Sequence, residues 1–87
     1  MLYRKESFEI IGSCMEVHKI LGRGHKEIIY QDALEMEFQL KKIPFEREKL
    51  LPVNYKGRIL PHRSVTDFLL FNKMVLEIKA IGELTKS

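Results

Sequence analysis

The 87-residue sequence has no tryptophan, a single cysteine, three prolines and five glycines. Cys14, being alone, cannot close an internal disulfide, so burial has to hold the fold without covalent staples. No stretch approaches the roughly 18 uninterrupted apolar residues of a membrane span, and Met1-Leu2-Tyr3-Arg4-Lys5-Glu6 lacks the apolar core of a secretory signal. The expectation is a cytoplasmic protein with no membrane partner. Repeats, linkers and low-complexity tracts are also missing. What remains is 45% hydrophobic and 31% charged, the composition of a single globular domain over residues 1–87. A chain of this length covers only roughly 60 to 65% of its unfolded surface on folding, so its stability is expected to be thin.

Fifteen Lys and Arg against twelve Asp and Glu leave a formal net charge of +3. That excess allows a nucleic-acid partner without requiring one, because a dedicated binder gathers its bases into a stripe. The longest basic cluster, Lys41-Lys42 with nearby Arg47 and Lys49, is short and interrupted, and reads as a solvated surface.

Apolar periodicity places a helix from Glu6 to Leu21, with Phe8, Ile11, Met15, His18 and Leu21 at three- and four-residue steps and Ile10, Cys14, Val17 and Ile20 widening the stripe. Gly22-Arg23-Gly24 supplies the glycine that follows a helix end. A second helix runs from His25 or Lys26 to about Lys41, with Ile29, Ala33, Met36 and Leu40 on one line and Tyr30, Leu34 and Phe38 beside it. After Ile43-Pro44 the period becomes 2. Phe45 to Tyr55 forms a strand that Pro52 assigns to a sheet edge, and Tyr55-Lys56-Gly57-Arg58 forms a tight turn. A second strand, Arg58 to Leu70, is broken near Pro61, and a third covers Met74 to Ile81. The fold class is therefore α/β of the α+β kind, two N-terminal helices followed by a three-stranded antiparallel meander.

The last hairpin fixes its own register. Directly opposed residues share a face of the sheet, and a one-residue slip exchanges the faces. A two-residue loop at Asn72-Lys73 would mix Asp67 into the apolar side. A three-residue loop, Phe71-Asn72-Lys73, pairs Leu70 with Met74, Phe68 with Leu76 and Asp67 with Glu77. It keeps Phe68, Leu70, Met74, Leu76, Ile78 and Ala80 on one apolar face and makes Asp67, Glu77 and Lys79 neighbours on the other. Two opposed carboxylates repel unless a positive charge lies between them. A divalent cation resolves this, since Mg²⁺ often takes one or two protein carboxylates plus water and substrate phosphate. The alternative is a solvated charged face on which Lys79 neutralises one acid.

Asp67, the hairpin and Glu77-Ile78-Lys79 together resemble the Asp…(Asp/Glu)-x-Lys signature of the PD-(D/E)XK nuclease superfamily, with Thr66 where that signature carries Pro. Gly24-His25-Lys26-Glu27-Ile28-Ile29-Tyr30 is similar to the Gly-x-x-Glu-x-x-Tyr motif of the GxxExxY family, a branch of that superfamily. Val17 to Gly24, Ala33-Leu34, Glu37, Pro52 to Gly57 and Asp67-Phe68-Leu69 fit the same pattern, so the similarity covers nearly the whole chain. It implies the first part of a restriction-endonuclease-like αβββαβ core with the acidic site on the sheet. It further implies Mg²⁺, or Mn²⁺ in its place, on Asp67 and Glu77, with Lys79 assisting the attacking water and Glu27 joining from a helix. Without the resemblance, Glu27 is a first-turn acid favoured by the helix dipole.

Family members continue beyond the Glu-x-Lys strand into a helix with a Gln and a Tyr and then a further strand, whereas this sequence stops at Ser87. The expectation is a domain lacking that last helix and strand, whose open sheet edge and apolar face a second copy covers. Other chemistry falls away. His18, His25 and His62 do not have zinc spacing, and Cys14 reads as a small buried hydrophobe. His18 reads as a packed histidine, and most Tyr and Phe as core residues, which argues against a base-stacking platform. Two functions stay open: a metal-dependent phosphodiesterase acting on nucleic acid, and a catalytically inactive oligomerising or adaptor module of the same fold.

Overall fold

The computed structural model describes residues 4–79. Helix α1 spans Arg4–Leu21 and helix α2 spans Glu27–Leu40. The first ends where Gly22 takes a left-handed φ of 69° and donates its N–H to the His18 carbonyl at 2.9 Å. The second begins behind an extended Lys26 that offers no side-chain cap, so the acid Glu27 in the first turn is what faces the helix dipole. Its end is a Schellman motif. Lys42, at φ 59°, donates to the Gln39 carbonyl, and Ile43 donates to the Phe38 carbonyl at 2.9 Å. Ile43 and Phe38 are both buried, which supplies the hydrophobic contact that accompanies this cap. A lysine occupies the position that glycine serves best. Lys42→Gly is therefore expected to raise stability by about 1 kcal/mol, a gain of several degrees in Tm by calorimetry.

Both helices were legible as helices, but each turns a different line inward from the one its strongest periodicity suggests. On α1 the buried residues are Ile10, Ser13 and Val17, while Phe8, Ile11 and Met15 are 76%, 55% and 67% exposed. On α2 they are Gln31, Leu34 and Phe38, while Ile29, Met36 and Leu40 face outward. An apolar stripe wide enough to hold two adjacent lines does not say which line packs. Here the choice follows Ser13, whose hydroxyl donates to the Glu9 carbonyl at 3.0 Å and accepts the Lys41 ammonium at 3.0 Å. The small side chain brings the end of α2 to α1.

Strands β1 (Phe45–Leu51), β4 (Ser64–Leu70) and β5 (Met74–Leu76) form an antiparallel sheet in the order β1-β4-β5. Between the first two, β2 (Asn54–Tyr55) and β3 (Arg58–Ile59) form a separate hairpin tip. The chain thus follows the expected meander, and its first hairpin is interrupted where Pro52 and Pro61 cannot donate to a ladder. Lys56 and Gly57 both have positive φ, 51° and 85°, as a two-residue type I′ turn requires, and Asn54 Oδ1 accepts the Gly57 N–H at 2.9 Å. The β4–β5 loop is Phe71-Asn72-Lys73, with Leu70 opposite Met74 and Phe68 opposite Leu76. That is the register expected from the pattern of faces.

β5 is shorter than the expected Met74 to Ile81. Ile78 gives its N–H to the Asp67 carboxylate rather than to a β4 carbonyl, so the ladder ends at Leu76. Ala80 and Ile81 lie outside the described residues, as do the positions where a further helix and strand would begin. A second interruption lies in β1, where Glu48, opposite Asp67 by count, has φ 56° and drops out of the pairing between Arg47–Phe68 and Lys49–Thr66.

The core lies between the two helices and the inner face of the sheet. Phe38 and Phe68, both at 0% exposure, meet edge to face with ring centroids 5.1 Å apart, and Phe45 completes the aromatic group. Arg47 corrects the reading of a solvated basic cluster. Its guanidinium reaches Asp32 at 2.9 Å, Glu35 at 2.7 Å and the Gln31 amide oxygen at 3.3 Å, and lies over the Phe68 ring. Lys49 pairs with Glu46, and Lys41 with Ser13. Arg47 and Lys41 thus tie separate elements together, while the Lys49–Glu46 pair lies within β1. The alternation Phe45, Arg47, Lys49, Leu51 already put Arg47 on the inward parity.

Candidate active site

The Gly24 to Tyr30 segment builds one wall. Gly24 turns at φ 97°, and Tyr30, one helical turn beyond Glu27, donates its hydroxyl to the Gly22 carbonyl at 2.7 Å. The same hydroxyl accepts the His25 N–H at 3.2 Å, while the His25 ring meets the Tyr30 ring edge on and its Nε2 lies 3.2 Å from the Leu21 carbonyl. Tyr30 is thus a latch across the α1–α2 turn, a role that the sequence reading did not assign. By locking this turn it fixes where Glu27, half-buried on the same helix face, emerges. Tyr30→Phe is expected to cost about 1 kcal/mol, because the Gly22 carbonyl and the His25 N–H both lose their partner. Urea denaturation would measure this, with Tyr55→Phe on the exposed hairpin as a silent control.

The opposite wall is the end of β5. A cavity of about 190 Å³ lies between the helices and this segment, with Cys14, His18, Tyr30 and Leu34 on one side and Glu77 and Lys79 on the other. Glu77 and Lys79 are exposed at its mouth, and Ile78 between them turns in to pack on the core. Asp67, half-buried on β4, holds this segment directly, since its Oδ2 accepts the Ile78 N–H at 2.6 Å. The structure therefore ties Asp67 to the residue between Glu77 and Lys79 and brings the latter two to the cavity that Tyr30 lines. Glu27 sits one turn along the helix from Tyr30.

Among the described residues no group of three or more His, Cys, Asp and Glu is placed to hold a metal ion. Asp67 is not among the residues lining the cavity; it reaches the Glu77 segment through the Ile78 N–H. Two oxygen donors suit a hard cation that completes its shell with water and phosphate, and Asp67 uses one carboxylate oxygen for Ile78, which leaves the other available.

Three expectations about the surroundings change. His18 is exposed beside the cavity rather than packed on the inward stripe. Phe8 and Tyr55, at 76% and 59% exposure, are not core residues, although Phe38, Phe45, Phe68 and Phe71 are. Cys14, expected as a buried hydrophobe, is only half-buried and lines the cavity. Burial pushes its thiol above the ordinary cysteine range, against the opposing charge of Lys41. The thiolate is the nucleophile, so Cys14 is expected to alkylate several-fold more slowly than a free cysteine at neutral pH and to reach comparable rates only after unfolding in urea. Timed iodoacetamide labelling with mass readout checks this.

The model of the PD-(D/E)XK nuclease superfamily matches residues 4–87. No curated protein and no solved structure matches the chain.

Proposed function

We propose that this chain, which belongs to the PD-(D/E)XK nuclease superfamily, hydrolyses phosphodiester bonds in nucleic acid with a divalent cation, Mg²⁺ or Mn²⁺. The observation that supports this most is the Asp67–Ile78 hydrogen bond, which ties one acid of the pair to the Glu77-Ile78-Lys79 segment at a cavity mouth. Asp67 and Glu77 would hold the cation, which when bound supplies a lowered pKa for its water and charge to offset that developing on phosphate. Lys79, cationic and exposed, orients the attacking water or contacts the phosphate. Glu27, outside the cavity lining but one helical turn before Tyr30, would join as a further carboxylate. The Gly24-x-x-Glu27-x-x-Tyr30 motif supports the GxxExxY branch, and the lack of structural cysteine pairing suits a cytoplasmic setting.

The second function, an inactive oligomerising or adaptor module, is favoured by a different observation: Phe8, Ile11 and Met15 form an exposed apolar row on α1. One experiment separates them. Fluorogenic DNA and RNA oligonucleotides are incubated with the protein in EDTA and then with added Mg²⁺ or Mn²⁺, while sedimentation reports the oligomeric state. Cleavage that appears on metal addition supports the nuclease. A stable dimer with no cleavage under any metal supports the module.

A further inference from the structure

The net positive charge of this protein, though not most of its cations, falls in one segment. From Lys49 to Thr66 the sequence holds four of the fifteen Lys and Arg and none of the twelve Asp and Glu, which leaves eleven basic against twelve acidic residues, a net of −1, everywhere else. The whole positive excess therefore belongs to the segment that includes the β2–β3 hairpin. Every residue from Asn54 to Val65 is exposed. Lys49 pairs with Glu46, but Lys56, Arg58 and Arg63 form no ion pair with the described residues. Lys56 lies over the ring of Tyr55, 5.5 Å from its centroid, and that ring is 59% exposed.

A solvated face usually mixes both signs of charge, and this one does not. Three unpaired cations beside an exposed aromatic ring form a surface for a polyanion with flat bases. The arm also leads into the strand that carries Asp67. Arg63 lies four residues before Asp67, roughly 13 Å along an extended chain, which corresponds to about four base steps measured along a duplex axis.

We propose that the β2–β3 arm, through Lys56, Arg58 and Arg63, is a sequence-independent contact for the phosphate backbone of a nucleic-acid strand. The proposal extends the nuclease reading by placing substrate affinity on the arm and cleavage at Asp67. It does not depend on a metal, so the two separate experimentally.

The test is fluorescence anisotropy with a fluorescein-labelled 20-nucleotide DNA in EDTA over a range of salt. The wild-type protein is expected to bind, with affinity falling steeply as salt rises. Lys56→Gln/Arg58→Gln/Arg63→Gln is expected to bind at least tenfold more weakly at low salt, with its log–log salt slope reduced by about two. Arg63→Gln alone, a milder change, should lose a fraction of that slope. The control Arg4→Gln/Lys19→Gln/Arg23→Gln removes the same charge elsewhere and should stay within about threefold of wild type. Equal losses in the two triple variants would overturn the proposal, because total charge and not the arm would then be responsible. So would an unchanged arm variant, absence of oligonucleotide binding by the wild type, or preference for vesicles of anionic lipid. Binding that depends on the arm in a protein that cleaves nothing supports the arm while removing the nuclease reading. Cleavage lost in Asp67→Asn with binding unaffected by the arm does the reverse.

Discussion

Asp67→Asn is expected to reduce metal-dependent cleavage by about a thousandfold while leaving the protein folded. The size follows from the proposed role: losing a ligand that holds the cation forfeits several kcal/mol of charge stabilisation at the phosphate, and about 4 kcal/mol corresponds to that factor. The choice of asparagine follows from the structure. Asp67 also accepts the Ile78 N–H, so alanine would remove a structural bond along with the charge. Asparagine keeps an oxygen acceptor there and loses only the charge assistance, at a cost of about 1 kcal/mol. Isothermal titration with Mn²⁺ alongside cleavage kinetics provides the check. Retained cleavage with retained metal binding would remove Asp67 from the site, and a collapse in Tm would show that its principal work is to close the β4–β5 hairpin.

The largest effect on stability is expected at Phe38. Its ring is fully buried, abuts both Phe45 and Phe68, and belongs to the residue that receives the Ile43 N–H at the end of α2. Phe38→Ala leaves a cavity where the helical layer meets the sheet and should cost about 3 to 5 kcal/mol. For a domain of this size, whose total stability lies near the lower end of about 5 to 15 kcal/mol, that is most of the margin. The melting transition should fall by on the order of 20 °C. Phe38→Leu, which fills much of the volume, should lose considerably less. If alanine were tolerated as well as leucine, the aromatic group would not be the centre of the core.

The comparison of sequence with structure separates parity from partnership. The hairpin register was legible because a one-residue slip would set Asp67 opposite Ile78, among the apolar residues of the partner strand, and only an odd loop avoids it. The break near Pro61 was legible because a missing N–H is a local property, whereas Pro52, read only as the mark of an edge strand, also ends β1 at Leu51. The inward line of α1 was not, since Phe8-Ile11-Met15 and Ile10-Cys14-Val17 are both apolar and the choice rests on a contact with Lys41, 28 positions after Ser13. For the same reason the early end of β5 was hidden: a side-chain carboxylate takes the place of a backbone carbonyl, and periodicity carries no trace of that exchange. In the candidate site, residue types announced the acids and the lysine, whereas the Tyr30 latch depends on a turn whose shape only the fold discloses.

The two prolines that flank the arm have a thermodynamic consequence. Between them, β2 and β3 pair with each other, and Leu60 returns its N–H to the Val53 carbonyl at 2.9 Å, while no side chain from Asn54 to Val65 is buried. Almost none of the free energy that orders this stretch comes from the core, so the arm can open and close without the rest of the protein unfolding. A ligand that settles on it must therefore supply part of the ordering entropy itself, which lowers the affinity gained from each contact and in exchange lets one short hairpin conform to many local shapes.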